Sequence, residues 1–249
     1  MKELLLAWRE PKSREWIVVG KLWFKDNRYY FGYTRGVNKA LNSDNLILFG
    51  SMQDINQLYV SDEIFPIFKN RLFQKNRPEY RDYLDWLGFD NSKEILPLDE
   101  LARTNGIRAT DSLQLFEIPK PQDGKYIVYF YSHGLRHLPK CYQDRLKHLK
   151  EKERLFILKD IQNRVDKDAL MLRTDDPSEL VGYCPRFYAK DFNKLIELNG
   201  EDKVVVSIEK INLNAPLQLQ LLCKLETVWS EAFEAFADDE YRLIIKEEI

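Results

Sequence analysis

Alternating or continuous apolar runs, rich in β-branched and aromatic residues, open the chain. Residues 4–8 and 16–24 (WIVVGKLWF) read as strands, and after Asp26-Asn27 the stretch 29–33 (YYFGY) resumes the pattern, which predicts a β-hairpin. Residues 37–51 are polar punctuation around a short apolar LILFG. Phe65, Phe68 and Leu72, then Tyr80, Tyr83, Leu84 and Leu87, follow helical spacing broken at Pro78, predicting two helices with a turn near Asn76-Arg77-Pro78. The stretch 98–106 (LDELARTNG) is a short amphipathic helix with a stop at Asn105-Gly106, and 112–118 (SLQLFEI) is a strand.

Residues 119–124 cluster two prolines, a glycine and polar residues between strand-like runs, so they mark a domain boundary: 1–119 and 120–249. Beyond it, 126–132, 154–161, 168–174 and 179–184 read as strands. Residues 187–198 (FYAKDFNKLIEL) are a helix ending at Asn199-Gly200, and 203–211 and 216–229 are two long closing strands. The expected fold class is α+β, a small N-terminal α+β module followed by a partly open β-barrel with one main helix.

Composition fits a folded protein and narrows its chemistry. Of 249 residues, 44% are hydrophobic and 13% aromatic, enough for a sizeable core. Lys+Arg at 38 against Asp+Glu at 40 gives a net charge of -2, so any contact with nucleic acid must come from a local patch. Cys141, Cys184 and Cys223 form no C-x-x-C pair and read as reduced thiols of a cytoplasmic protein. The start MKELLLAW lacks a signal-peptide core, and no stretch approaches 18 uncharged apolar residues, so neither export nor membrane insertion is expected. No glycine-rich nucleotide loop, H-E-x-x-H metal site or G-x-S-x-G elbow is present, so no cofactor, metal or enzymatic activity is expected. An acid–base role for His133 and Asp166 would need both within hydrogen-bond reach of one substrate atom.

Three elements in order carry a family resemblance: His133-Gly134-Leu135-Arg136 after an aromatic strand, Asn163-x-x-Asp166-x-x-Ala169-Leu170 between strands, and Val181-Gly182-Tyr183-Cys184-Pro185-Arg186 opening a helix. Over residues 126–228 this resembles the HIRAN domain. The resemblance implies an OB-like barrel that seats the 3′-hydroxyl end of single-stranded DNA. By motif position Asp166 would receive the hydroxyl, and Arg136, Lys167 and Arg186 would hold phosphate. Tyr131, His133, His137, Asn163 and Tyr183 complete the expected nucleic-acid site. One departure stands out: Val165, preceded by Arg164, replaces the aromatic residue usual before that aspartate, so a stacking platform is missing unless Tyr131, Tyr183 or Phe187 supplies it. Independently, residues 133–154 hold Arg136, Lys140, Arg145, Lys147, Lys150, Lys152 and Arg154 against Asp144, Glu151 and Glu153, a pattern suited to phosphate or to a solvated face. Asn163 and Asp166 also suit a plain turn, since both side chains cap their own backbone.

The first half resembles the N-terminal subdomain of HipA-type toxin kinases through Val19-Gly20-Lys21-Leu22, Tyr30-Phe31-Gly32-Tyr33 and Ser61-x-x-Ile64-Phe65-Pro66. The catalytic lobe is absent, which leaves an interaction role. Lys69, Arg71, Lys75, Arg77 and Arg81 against Glu79 form a second basic stretch. The tail from residue 230 is acidic, and its Phe233, Phe236 and Tyr241 are expected to dock a short helix on the barrel, or to latch over the basic patch. The combined expectation is a non-enzymatic protein of a toxin–antitoxin or phage-defence system that binds single-stranded DNA or DNA 3′ ends. The alternative is a protein-interaction module that binds a HipA-like kinase.

Overall fold

The computed structural model describes residues 2–43, 45–89 and 94–245. Its contacts group into two units: residues 1–75, 94–118 and 236–249 form unit 1, and 76–93 with 119–235 form unit 2. The chain thus crosses residue 119 with two exchanged segments, a helical one given to unit 2 and the tail given to unit 1.

Unit 1 is an antiparallel sheet of β1 (Glu3–Arg9), β2 (Trp16–Lys25), β3 (Arg28–Tyr33), β4 (Tyr59–Ser61) and β5 (Leu113–Glu117), in the order β4-β3-β2-β1-β5. Asp26 and Asn27 both take positive φ, 48° and 60°, between the paired Lys25 and Arg28, which is the two-residue turn that matches strand twist. Leu4, Leu6, Val19, Leu22 and Phe31 line the core face, covered by Phe68 and by Leu98 and Leu101 of the helix Pro97–Thr104. That helix stops at Asn105 in the left-handed conformation, as its Asn-Gly pair predicts. The helix expected around Phe65–Leu72 is the single turn Pro66–Lys69. Tyr33 donates from its hydroxyl to the Met52 carbonyl at 2.7 Å, and burial pushes its phenol up to about 12.

Unit 2 is a curled six-stranded antiparallel half-barrel of β6 (Lys125–Tyr131), β7 (Arg154–Lys159), β8 (Leu170–Arg173), β9 (Leu180–Tyr183), β10 (Val205–Ile211) and β11 (Leu221–Val228), in the order β6-β11-β10-β7-β8-β9. The helix Arg186–Asn199 fills the concave side with Tyr188, Phe192 and Leu195, stopping where Gly200 takes φ 89°. Phe192 lies 5.7 Å from Phe130 and 6.2 Å from Tyr126, and Trp229 and Phe233 close the aromatic cluster at 5.7 and 5.5 Å from Tyr126. The strand expected over 216–229 begins only at Leu221, because Leu217–Leu219 forms one 3-10 turn. Lys140–Arg145 is a short helix that the apolar pattern does not announce.

The tail corrects an expectation. Phe233 stays with unit 2, but the Phe236 ring lies tilted 5.1 Å from Phe116 and Leu243 bridges Thr34, so the tail zips onto unit 1, with the 3-10 turn Asp239–Tyr241 in place of a longer helix among the described residues. Asp239 pairs with Arg35 and not with the basic patch. Lys246, Glu247 and Glu248 lie outside the described residues. Among the described residues no helix is long and apolar enough to cross a membrane.

Candidate nucleic-acid interface

The two edges of the curled sheet meet at one place. His133, just beyond β6, and Tyr183 of β9 exchange both backbone hydrogen bonds at 2.9 Å, and Ser132 Oγ donates to the Val181 carbonyl at 2.6 Å. Glycine makes this approach feasible. A Cβ on Gly182 would sit 1.9 Å from Ser132 Oγ and 2.6 Å from the His133 carbonyl, and its φ of 119° disfavours any side chain.

The loop between β7 and β8 lies beside this junction and is built by its own side chains. Asn163 Oδ1 accepts from the backbone N–H groups of Val165 and Asp166, each at 3.0 Å, while its Nδ2 donates to Asp160 Oδ2 at 3.1 Å. Asp166 Oδ1 accepts from the Asp168 N–H at 3.0 Å. This is the Asx-turn chemistry the residue types favour, and it fixes which atoms stay available. The second oxygen of Asp166 faces Arg186 Nε at 3.8 Å, beyond hydrogen-bond reach, with side-chain exposures of 22% and 31%. Tyr183 Oη donates to Asp160 Oδ2 at 3.1 Å, and burial followed by that carboxylate raises its phenol pKa. Burial, with the charge of Arg186 adding to it, pushes the His133 imidazole down to about 4, so the ring is neutral at pH 7.

The structure therefore brings together His133, Asn163, Asp166, Tyr183 and Arg186. Lys167 stands exposed on the same loop, and Arg136 donates from Nε to His137 Nε2 at 3.0 Å on the exposed turn that follows His133. Tyr131 turns elsewhere: it is 3% exposed and its hydroxyl donates to the Trp86 carbonyl at 2.7 Å. Val165 is 78% exposed at the loop tip, and Phe187 is half-buried beside Arg186. Two contributors escaped the sequence reading. Asp160 anchors both Asn163 and Tyr183, and Asn193 donates to the Asp168 carbonyl at 3.0 Å. The Asp160-x-x-Asn163-x-x-Asp166 spacing was the available signal for the first.

The basic stretch 133–154 divides by use. Arg145 pairs with Glu179 at 3.3 Å and Lys147 with Asp144 at 2.6 Å, whereas Arg136, Lys140, Lys150 and Lys152 are exposed. No group of three His, Cys, Asp or Glu side chains is placed to hold a metal among the described residues.

No curated protein matches the chain. A crystal structure of a protein from Lactobacillus plantarum is similar over 41% of this chain and 96% of its own, at 16% identity and a TM-score of 0.32. The match that bears on the site is to the family model of the HIRAN domain. It spans residues 125–229, which are a HIRAN domain, and it does not reach the N-terminal half, where no match supports the resemblance to the HipA-type subdomain.

Proposed function

We propose that the protein binds nucleic acid, without catalysing a reaction, at the junction of β9 and the β7–β8 loop, and that its ligand is the 3′ end of single-stranded DNA. The HIRAN domain is a nucleic-acid-binding module, and the match supplies the class of ligand. The observation that carries the finer reading is the arrangement at Asp166. One carboxylate oxygen is committed to its own turn, and the other is held 3.8 Å from Arg186. A terminal hydroxyl can donate to that oxygen while Arg186, Lys167 and Arg136 meet phosphate. A neutral His133 adds a hydrogen-bonding edge without a second charge.

Stacking is the weak part of the site. Val165 offers no ring, and Tyr131 is buried, leaving Tyr183 and Phe187 as the aromatic faces nearby. Stacking contributes ~1–3 kcal/mol per base, so affinity should lie about 5- to 150-fold below that of a comparable site with an aromatic residue at this position.

Fluorescence anisotropy with a single strand bearing a free 3′-hydroxyl, the same strand 3′-phosphorylated, and a duplex, at low and moderate salt, tests the reading. Preference for the free 3′ end, lost in Asp166→Asn, is expected. That variant keeps the oxygen that caps the turn. Equal, salt-sensitive binding to all three would retain a basic patch and reject the end pocket. No binding at low salt would reject nucleic acid as ligand.

A further inference from the structure

The outer face of the half-barrel continues the site as a track. Cross-strand partners share a face, and the register pairs Tyr183 with Met171, Met171 with Leu158, and Arg173 with Phe156. Leu170 and Leu172, on the opposite face of β8, are 1% and 0% exposed and belong to the core. Tyr183, Met171, Leu158, Phe156 and Arg173 therefore lie together on the convex side, and Arg154 joins them two residues before Phe156. The guanidinium carbons of Arg154 and Arg173 stand 5.1 and 4.6 Å from the centre of the Phe156 ring.

Two arginines on one partly exposed ring serve a polyanion well. A guanidinium stacked on a ring keeps its in-plane N–H donors free to point outward. Among the described residues Arg173 Nη1 donates to the Thr174 carbonyl at 2.8 Å and Arg154 Nη2 to the Asp202 carbonyl at 3.4 Å. Neither contact is with a carboxylate, and Glu179 is paired with Arg145 and Glu226 with Lys125 and Lys224. Crossing from β9 to β7 takes two interstrand steps of ~4.8 Å, and Leu158 to Arg154 adds ~13 Å along the strand, a span of several nucleotides.

We infer that this face, from Tyr183 over Phe156 to Arg154, is a second contact surface that carries the body of a single strand away from the end site, with Arg154 and Arg173, both braced on the Phe156 ring, on phosphates. The inference rests on the nucleic-acid reading above but uses none of the side chains assigned to the terminal hydroxyl.

The test compares a strand of about 4 nucleotides with one of about 12, spanning the lower part of the 4–16 range occupied by related barrels, on the intact protein. The longer strand is expected to bind more tightly. In Arg154→Gln/Arg173→Gln its salt slope should fall by about 1.4, the value for two phosphates of a single strand, while binding of the 4-mer stays unchanged. Phe156→Leu, which keeps an apolar side chain but removes the ring that braces both guanidinium groups, should weaken the 12-mer about two- to fivefold. Equal affinity for both lengths, each lost in Asp166→Asn, would overturn the track and leave the end site standing. Length-dependent binding insensitive to Asp166→Asn but lost in the arginine variant would keep the track and remove the end site. No binding of either strand at low salt would overturn both.

Discussion

Arg71 in unit 1 and Arg186 in unit 2 come from equally basic-looking sequence and engage their donors differently. Arg71 has 1% of its side chain exposed and donates to the Gly106 carbonyl at 2.7 Å and to Asp111 at 2.6 Å, knitting the end of a helix to the approach of β5. Arg186 is 31% exposed and stands 3.8 Å from a carboxylate it does not bond. A cation whose donors are used within the fold is structural, and one whose donors face a half-used carboxylate is available to a ligand. The charge count of a stretch cannot separate the two, and the cations between Lys69 and Arg81 even divide between units.

The largest effect expected concerns the backbone at the junction of β6 and β9 in unit 2. Gly182→Ala would press a Cβ to 1.9 Å from Ser132 Oγ at a φ of 119°. It should lower stability by ~3 kcal/mol or more, read as a drop in the urea midpoint. A loss under ~1 kcal/mol would mean that the junction is not held closed.

Next, Arg71→Met and Arg186→Met should split stability from binding. The first strands the Gly106 carbonyl and Asp111, which is itself 29% exposed, and should cost ~2–4 kcal/mol with DNA affinity retained below the melting transition. The second should change stability by less than ~1 kcal/mol and reduce the salt slope of single-strand binding by about 0.7. Interchanged outcomes would break the comparison.

Acid provides a third probe. The folded His133 pKa of about 4 lies below its ordinary 6.5, so between these values the unfolded chain binds the extra proton. The stabilisation is complete above pH 6.5 and is lost as pH falls toward 4, by ~2 kcal/mol once allowance is made for a partly exposed residue. His133→Gln should flatten that window in thermal melts at graded pH, and an unchanged profile would show that the ring titrates normally.

Smallest is Asn163→Ala, which removes the acceptor of two N–H groups at 3.0 Å. A stability loss of ~1 kcal/mol is expected, with faster amide exchange at Val165 and Asp166. Unaltered exchange would show that the turn is ordered by other contacts.

Most strands were legible because burial writes period-two alternation into β6 and β8 and continuous apolar runs into β1 and the first half of β2. The Asn163–Asp166 turn was legible because its side chains bond to neighbours two or three residues away. Tyr131 was not. Strand parity puts it on the convex face with Tyr129, where exposure seemed available, but Trp86, contributed from 45 residues earlier, receives its hydroxyl. The tail failed for the same reason. Phe233 and Phe236 are three residues apart yet pack on Tyr126 and Phe116 in different units, a choice set by tertiary partners that local pattern does not encode. Pro216–Gln220 alternates like a strand, but the Leu217 carbonyl accepts from the Gln220 N–H at 3.3 Å, ending the ladder early.

Amide hydrogen exchange of the full chain with and without a single-stranded oligonucleotide tests the central claim most directly. Protection confined to unit 2, at residues 133–137, 160–169 and 183–186 and along β7 and β8, is the predicted result. Protection of residues 66–75 in unit 1, with none at the β7–β8 loop, would contradict it.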